Sequence, residues 1–455
     1  MIGMRGLESW RRRSGASFSR KRIRLRARRA WRMTIIVLGS VVGGLAAVSF
    51  AKLCDAGIAF HHNVIRSVPF LPYVLMPASM ALATWLTIKF APAAAGSGIP
   101  QVIAAAEEAG PDNPGDDKIS VRTAVVKVAL TALLLTCGAA IGREGPTVQV
   151  VAAILFLFTS RLHGGPSRRA LLIAGGAAGV AAAFNTLIAG VVFAVEELAK
   201  GFDRRNNSII ILVVVIAGAA SYAFAGDYAY FGSLRGSTAL ASAWLAAPII
   251  GVVCGVTGGL FARAVAAVIG PQPNAVGLFR KSRPIVFATG CGLVAALAAF
   301  ASGGLSFGTG YDSTTALLAG GGGAQSWSLS VWRWIATLAA SVCGAPGGLF
   351  APSLAIGAGL GSVVDQVVPW VQGRDVVVLG MAAYLAGVVQ APLTSAVILM
   401  EMTRDPGLVG PLMLSTLMSR AISSRIMREP LYHQLAGAWR RRVGKPAKAV
   451  PAPAA

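Results

Sequence analysis

Apolar residues follow one another along nearly the whole chain, broken by short glycine-, proline- or charge-bearing stretches rather than by a regular polar face. The runs cover 34–60, 71–91, 121–141, 169–198, 207–225, 239–269, 284–302, 329–343, 350–369, 376–402 and 407–422. A helix crossing a bilayer needs about 20 apolar residues, so the pattern predicts some full spans and some segments too short to cross alone. Strict polar/apolar alternation over ten-residue segments, the mark of a transmembrane β-barrel, is absent. The pattern predicts an all-α, multi-pass membrane protein. Hydrophobicity ends near residue 428, and the Pro/Ala-rich end "GKPAKAVPAPAA" reads as a disordered tail.

Composition agrees. Only 13% of the residues are charged against 55% hydrophobic, where soluble domains carry about 25% charged, and mean hydropathy is +0.66. The net charge of +23 matters through its placement. Residues 1–33 hold twelve Arg or Lys against the single acid Glu8, and Arg440, Arg441, Arg442, Lys445 and Lys448 follow Tyr432 without an acid. Basic flanks stay on the cytoplasmic side during insertion. Both termini are therefore expected in the cytoplasm, the number of crossings is even, and the cell's inner (plasma) membrane is the expected location. The basic arms suit anionic lipid. Binding of nucleic acid is disfavoured, because no recognition fold accompanies them. The N-terminus does not read as a cleavable signal peptide, since no small-x-small site follows its first apolar run.

Enzyme chemistry finds no support. Cys54, Cys137, Cys254, Cys291 and Cys343 are scattered through apolar runs and read as small packing residues. His61, His62, His163 and His433 have no partners at metal-ligand spacing, and Walker A, H-E-x-x-H and G-x-S-x-G patterns are missing. Neither a metal nor an organic cofactor is expected.

The two halves echo each other. Laid without gaps, "GGAAGVAAAFNTLIAGVVFAVEEL" (175–198) pairs with "GMAAYLAGVVQAPLTSAVILMEMT" (380–403), so that Gly175 meets Gly380 and Glu196 meets Glu401. The same offset of about 205 carries "GREGP" almost onto "GGLFAP". Internal symmetry of this kind marks transporters. An odd number of crossings in each half inverts the second half against the first and places the substrate site where their broken helices meet. The organisation read from this is a basic arm (1–33), a first membrane repeat (34–226), an inverted second repeat (227–435) and a basic tail (436–455).

Three interruptions carry the chemistry: "GSGIP" (96–100), "GREGP" (142–146) and "GGLFAP" (347–352). Glycines at Gly96, Gly98, Gly142, Gly347 and Gly348 let the backbone bend and let a ligand come close. Pro100, Pro146 and Pro352 each suit the first turn of a helix, where their missing N–H costs nothing. Each stretch thus reads as a helix start, with unpaired N–H groups and a partial positive charge. Irregular backbone survives at membrane depth only when buried in protein or lining a cavity. Three such starts aimed at one cavity make an anion site containing no lysine or arginine, which releases its ion more readily than a full counter-charge. Taken singly, each break reads as a kink.

With "PLY" (430–432), these motifs stand in the order and approximate spacing of the CLC family of chloride channels and proton-coupled chloride exchangers, which the chain resembles from about residue 34 to 435. The resemblance implies a homodimer with one pore per subunit, each subunit an inverted repeat of tilted and broken helices. It further implies that the hydroxyls of Ser97 and Tyr432 and the amides of Leu349 and Phe350 hold a central chloride. The amides around Arg143, Glu144 and Gly145 then face an outer position. By themselves, Ser97 reads as a helix N-cap and Tyr432 as an interfacial anchor.

Glu144 is an ionisable group at membrane depth, by default a functional one. One reading is a buried ion pair with Arg143. In the other, the carboxylate is a tethered anion that occupies a chloride position, and protonation swings it out, making it gate and outer proton carrier. Glu197, second of the pair "EE" in "FAVEELAKGFDRR", aligns with the inner proton relay of family exchangers, with Glu196 as its support or a water-side partner. Read alone, the two are helix-end acids near Arg204 and Arg205. A chloride/proton antiporter is the leading expectation. The alternatives are a passive chloride channel of the same architecture, an unrelated inverted-repeat organic-anion transporter, and a regulatory membrane protein with basic arms. Ser97 fits a chloride-preferring exchanger, since relatives that prefer nitrate typically carry proline there. Two departures stand out: Asn185-Thr186-Leu187 where many members have Asn-Ala-Pro, and Ile103 where some exchangers have an acid.

Overall fold

The computed structural model describes residues 3–109, 117–160, 162, 166–199, 207–226, 229–234, 240–320, 324–368 and 373–440, without the side chains of 3–21, 240, 324 and 325. His163, Arg204, Arg205, Arg441, Arg442, Lys445 and Lys448 lie outside the described residues. Among the described residues there are eighteen α-helices and no strand. The first half contains α1 (Gly3–Ser67), α2 (Leu71–Phe90), α3 (Ile99–Glu107), α4 (Val121–Thr136), α5 (Glu144–Thr159), α6 (Arg168–Phe184), α7 (Leu187–Phe193) and α8 (Asn207–Ala225). The second contains α9 (Leu240–Ile269), α10 (Ala275–Ser282), α11 (Pro284–Ala301), α12 (Tyr311–Leu318), α13 (Ala324–Val342), α14 (Phe350–Val367), α15 (Arg374–Val389), α16 (Pro392–Thr403), α17 (Val409–Ile426) and α18 (Leu431–Trp439).

Several apolar runs divide differently from their hydropathy. The run 169–198 breaks into α6 and α7 at Asn185, and the run 376–402 breaks into α15 and α16 at Gln390. Both residues are left-handed, with φ of 58° and 62°. Hydropathy is blind to such a break, because it registers transfer free energy and not backbone angle. At the N-terminus the helix does not wait for the apolar run: α1 continues back through the basic arm, which has no proline and is rich in arginine, a good helix former. Among the described residues, five helices are long and apolar enough to cross a membrane, Leu71–Phe90, Asn207–Ala225 and Pro284–Ala301 included. Others are short.

The centre is built from small residues. Every residue from Ala170 to Phe184 on α6 and from Asp375 to Val389 on α15 is buried, and helices apolar all round belong inside. A Cβ on Gly175 would lie 2.8 Å from Ala152 Cα on α5, and one on Gly361 of α14 would lie 2.6 Å from Val376 O on α15. Close approach of backbones through such small residues is how helices pack where lipid supplies no hydrophobic drive.

A pair of reciprocal contacts ties the halves. A single π turn, Ala194–Leu198, closes α7. From it the Glu196 carboxylate accepts the N–H groups of Leu393 (3.1 Å) and Thr394 (2.7 Å) and the Thr394 hydroxyl (2.7 Å), at the start of α16. From the end of α16, Glu401 accepts the N–H groups of Ile188 (3.1 Å) and Ala189 (2.7 Å), at the start of α7. Residue i meeting j while the counterpart of i meets the counterpart of j is the signature of a two-fold relation. Glu196 is therefore not a water-side partner of Glu197 but a structural cap. The same contact answers the Leu187 departure. Without proline α7 still begins at Leu187, and Glu401 covers the amides of its first turn.

Each carboxylate accepts two charge-assisted main-chain bonds, so Glu196→Ala or Glu401→Ala is expected to cost about 2 kcal/mol. Thermal unfolding in detergent reads this as a lower midpoint for each variant. Midpoints equal to the parent's would mean that solvent replaces the caps without loss.

Candidate anion pathway

The three interruptions, far apart in sequence, are stitched together through main-chain bonds. Gly96 N–H donates to Ala345 O at 3.0 Å, and Gly347 N–H donates to Gly96 O at 3.2 Å. Gly142 and Gly348 exchange both bonds, at 2.8 and 2.7 Å. Gly145 sits against the first motif: a Cβ there would run into Ser97 Oγ and lie 2.9 Å from Ser97 O. Only glycine permits that approach.

From this knot three helices depart. α3 starts after Gly98 at φ 102°, with Pro100 in its first turn. α5 starts after Arg143, and α14 starts after Leu349. Pro146 and Pro352 are the third residues of α5 and α14, still inside the first turn. None of the three N-termini has a side-chain cap. Their first-turn amides have no preceding carbonyl to bond and so carry the positive ends of three helix dipoles.

Polar side chains close the site. Ser97 is not the N-cap of α3, a place taken by Gly98. Its hydroxyl is buried, as is that of Tyr432, and neither is satisfied by a hydrogen bond within the protein among the described residues. The two hydroxyls face each other. Tyr432 is fully buried rather than interfacial, and its ring stacks on Phe350 with centroids 6.2 Å apart and planes 11° apart. Ser97, Tyr432 and the Leu349–Phe350 start of α14 thus converge on one locus. Buried hydroxyls and amides left unmatched by protein are costly unless something else bonds them.

Glu144 opens α5 and is 1% exposed. Its carboxylate folds back over Gly142 and stands against the amides of Ala351 and of Glu144 itself. An ion pair with Arg143 is not what holds it. The Arg143 guanidinium turns to α1, donating to Ala51 O at 2.7 Å and Asp55 Oδ1 at 2.5 Å. Glu197, 3% exposed, stands apart on the π turn.

One cation corrects the expectation of a site without lysine. Lys127, fully buried on α4, lies directly behind the first motif, where a Cβ on Gly98 would be 2.9 Å from its Nζ. It donates to Gln149 Oε1 at 2.5 Å, and Gln149 Nε2 donates in turn to Lys118 O at 2.6 Å. A lone lysine inside "VVKVALTALLL" was the available signal. Ile103 lies in the apolar core, 1% exposed.

Two cavities lie at opposite ends of α2. The larger, about 610 Å³, reaches Gly96, Ser97 and Pro100 and is rimmed by Arg280, Lys281 and Arg440. The smaller, about 330 Å³, is lined by His61, His62, Tyr73, Phe307 and Asp312 among others. A mouth lined by one sign of charge concentrates counter-ions; the larger favours anions.

Fold and site together define a multi-pass helical membrane protein of the transport class, with the N-termini of broken helices from both halves meeting at its centre. The family model described as voltage gated chloride channel matches residues 79–424, and the chain belongs to this CLC family of chloride transport proteins. Solved structures that share the fold include three CLC proteins. A slow cyanobacterial Cl−/H+ antiporter is 22% identical, with a TM-score of 0.73 over 89% of this chain and 97% of that one. A eukaryotic CLC transporter is 23% identical, with a TM-score of 0.71 over 89% and 74%. A CLC-type fluoride/proton antiporter is 20% identical, with a TM-score of 0.71 over 87% and 96%.

Proposed function

We propose that the protein exchanges chloride for protons across the cell's inner membrane, with both termini in the cytoplasm and one pathway in each subunit of a homodimer. The observation that supports it best is the Glu144 carboxylate lying buried against the Ala351 amide. An anionic side chain at a helix N-terminus occupies ground suited to a free anion. In this reading Ser97, Tyr432 and the amides of Leu349 and Phe350 bind the central chloride, and the amides from Arg143 to Gly145 bind an outer one. Glu144 competes for its position in charged form and leaves it when protonated, so each opening carries a proton. Helix-end amides favour the charged carboxylate, while burial and a neighbouring chloride favour the neutral one. Glu197 passes the proton on toward the cytoplasm.

Simultaneous recording of chloride and proton movement in reconstituted liposomes tests the proposal. With a chloride gradient imposed, protons are expected to move uphill. Chloride flux without proton movement would make the protein a passive channel. Flux that chloride does not compete with would point to an organic anion.

A further inference from the structure

His433 follows Tyr432 on α18, and its Nε2 lies 3.9 Å from Glu197 Oε1, with both side chains 3% exposed. On the π turn the two adjacent acids point different ways: Glu196 caps α16, while Glu197 faces α18. That separation exceeds a direct hydrogen bond. One water or a small side-chain rotation spans it.

We infer that Glu197 and His433 form a proton-sharing pair, with His433 a second inner proton carrier. This rests on the exchanger reading above. A proton on Glu197 transfers as its O–H bond breaks and an Nε2–H bond forms, leaving a carboxylate and an imidazolium. The buried imidazolium then gives up its Nδ1 proton once a rotation of the ring brings that nitrogen to water, and returns to neutral, so one proton enters the pair and one leaves.

Histidine is the side chain whose ordinary titration falls between pH 5 and 8, and such a coupled pair titrates as a unit. Besides the π turn, the elements packed most closely on α18 are α3, α9 and α15, and none of these carries another histidine. Their ionisable groups are Glu107, held by Arg440 at 2.8 Å, Cys254, the exposed Arg263, and Arg374, Asp375 and Tyr384. Tyr432 is next in the chain.

The test is simultaneous chloride and proton flux in liposomes for the parent, His433→Gln and His433→Asn, at inner pH values from 5 to 8. Proton flux is expected to vary with inner pH in the parent; in both variants its ratio to chloride should fall about a hundredfold, the low end of what a proton-transfer group contributes, and the pH dependence should be lost. A parent-like ratio and pH profile in either variant overturns the pair. So does an equal loss of both fluxes, which marks a packing role. If the parent moves chloride but no protons, the exchanger reading itself fails and the pair falls with it. A coupled parent with coupled variants removes only His433.

Discussion

Glu144→Ala is expected to keep chloride moving while abolishing proton coupling. The side chain is buried at the first turn of α5, its carboxylate set against Gly142 and the amide of Ala351. Alanine removes the tethered anion and leaves the amides of both helix ends in place, since none depends on a Glu144 bond for its position. Those main-chain positions are fixed by the Gly142–Gly348 pair instead. Chloride is then free to take the position, and nothing there binds a proton. Proton flux per chloride should fall by about a hundredfold or more, the range of a lost proton-transfer group. Anomalous diffraction from crystals soaked in bromide should place a halide beside Ser97 and Tyr432 and another where the carboxylate stood. Proton coupling retained by this variant would remove the mechanism.

The second large effect is expected from Glu197→Gln. The side chain is 3% exposed, so glutamine keeps its shape while giving up its titration. Proton transport should fail, again by about a hundredfold, while chloride continues to pass. The distinction from Glu144→Ala lies in the gate. Glu144 stays in the glutamine variant, so chloride flux remains sensitive to outer pH, whereas Glu144→Ala loses that sensitivity. Liposomes assayed at two outer pH values separate the cases. Equal loss of both fluxes would mean that Glu197 has a structural role, as its neighbour Glu196 does as a helix cap.

The electrostatics explain why the expected site needed amending. Three uncapped helix starts supply partial charges that hold an anion weakly enough to release it. Lys127 adds a full charge close to Gly98 of the first motif, but its ammonium is bonded to Gln149. Arg143, the more conspicuous cation, is drawn off toward Asp55. The nearest cation by sequence is thus not the one behind the binding loop.

Much of this protein could be read in one dimension. Apolar runs predict a helical membrane protein, because burial in lipid needs only length and hydrophobicity. The glycine–proline breaks predict helix starts, because those residues set backbone angles locally. The offset of about 205 that pairs Glu196 with Glu401 exposes the duplication. Left-handed Gln390 was hidden, since glutamine sits comfortably inside a helix, whereas asparagine at 185 is a residue that favours helix ends. The distinct duties of Glu196 and Glu197 were hidden as well: adjacent letters look alike until a π turn sends one to α16 and the other to His433.

The sequence by itself determined the helical membrane class, the repeat and the three stretches able to greet an anion, because each follows from local hydrophobicity and backbone preference. Only the tertiary structure decided what those stretches meet: Gly96 with Ala345, Gly142 with Gly348, Ser97 with Tyr432, Arg143 with Asp55, and Lys127 behind Gly98. Partners separated by tens to hundreds of residues are chosen by how the inverted halves pack, and no local preference encodes that choice.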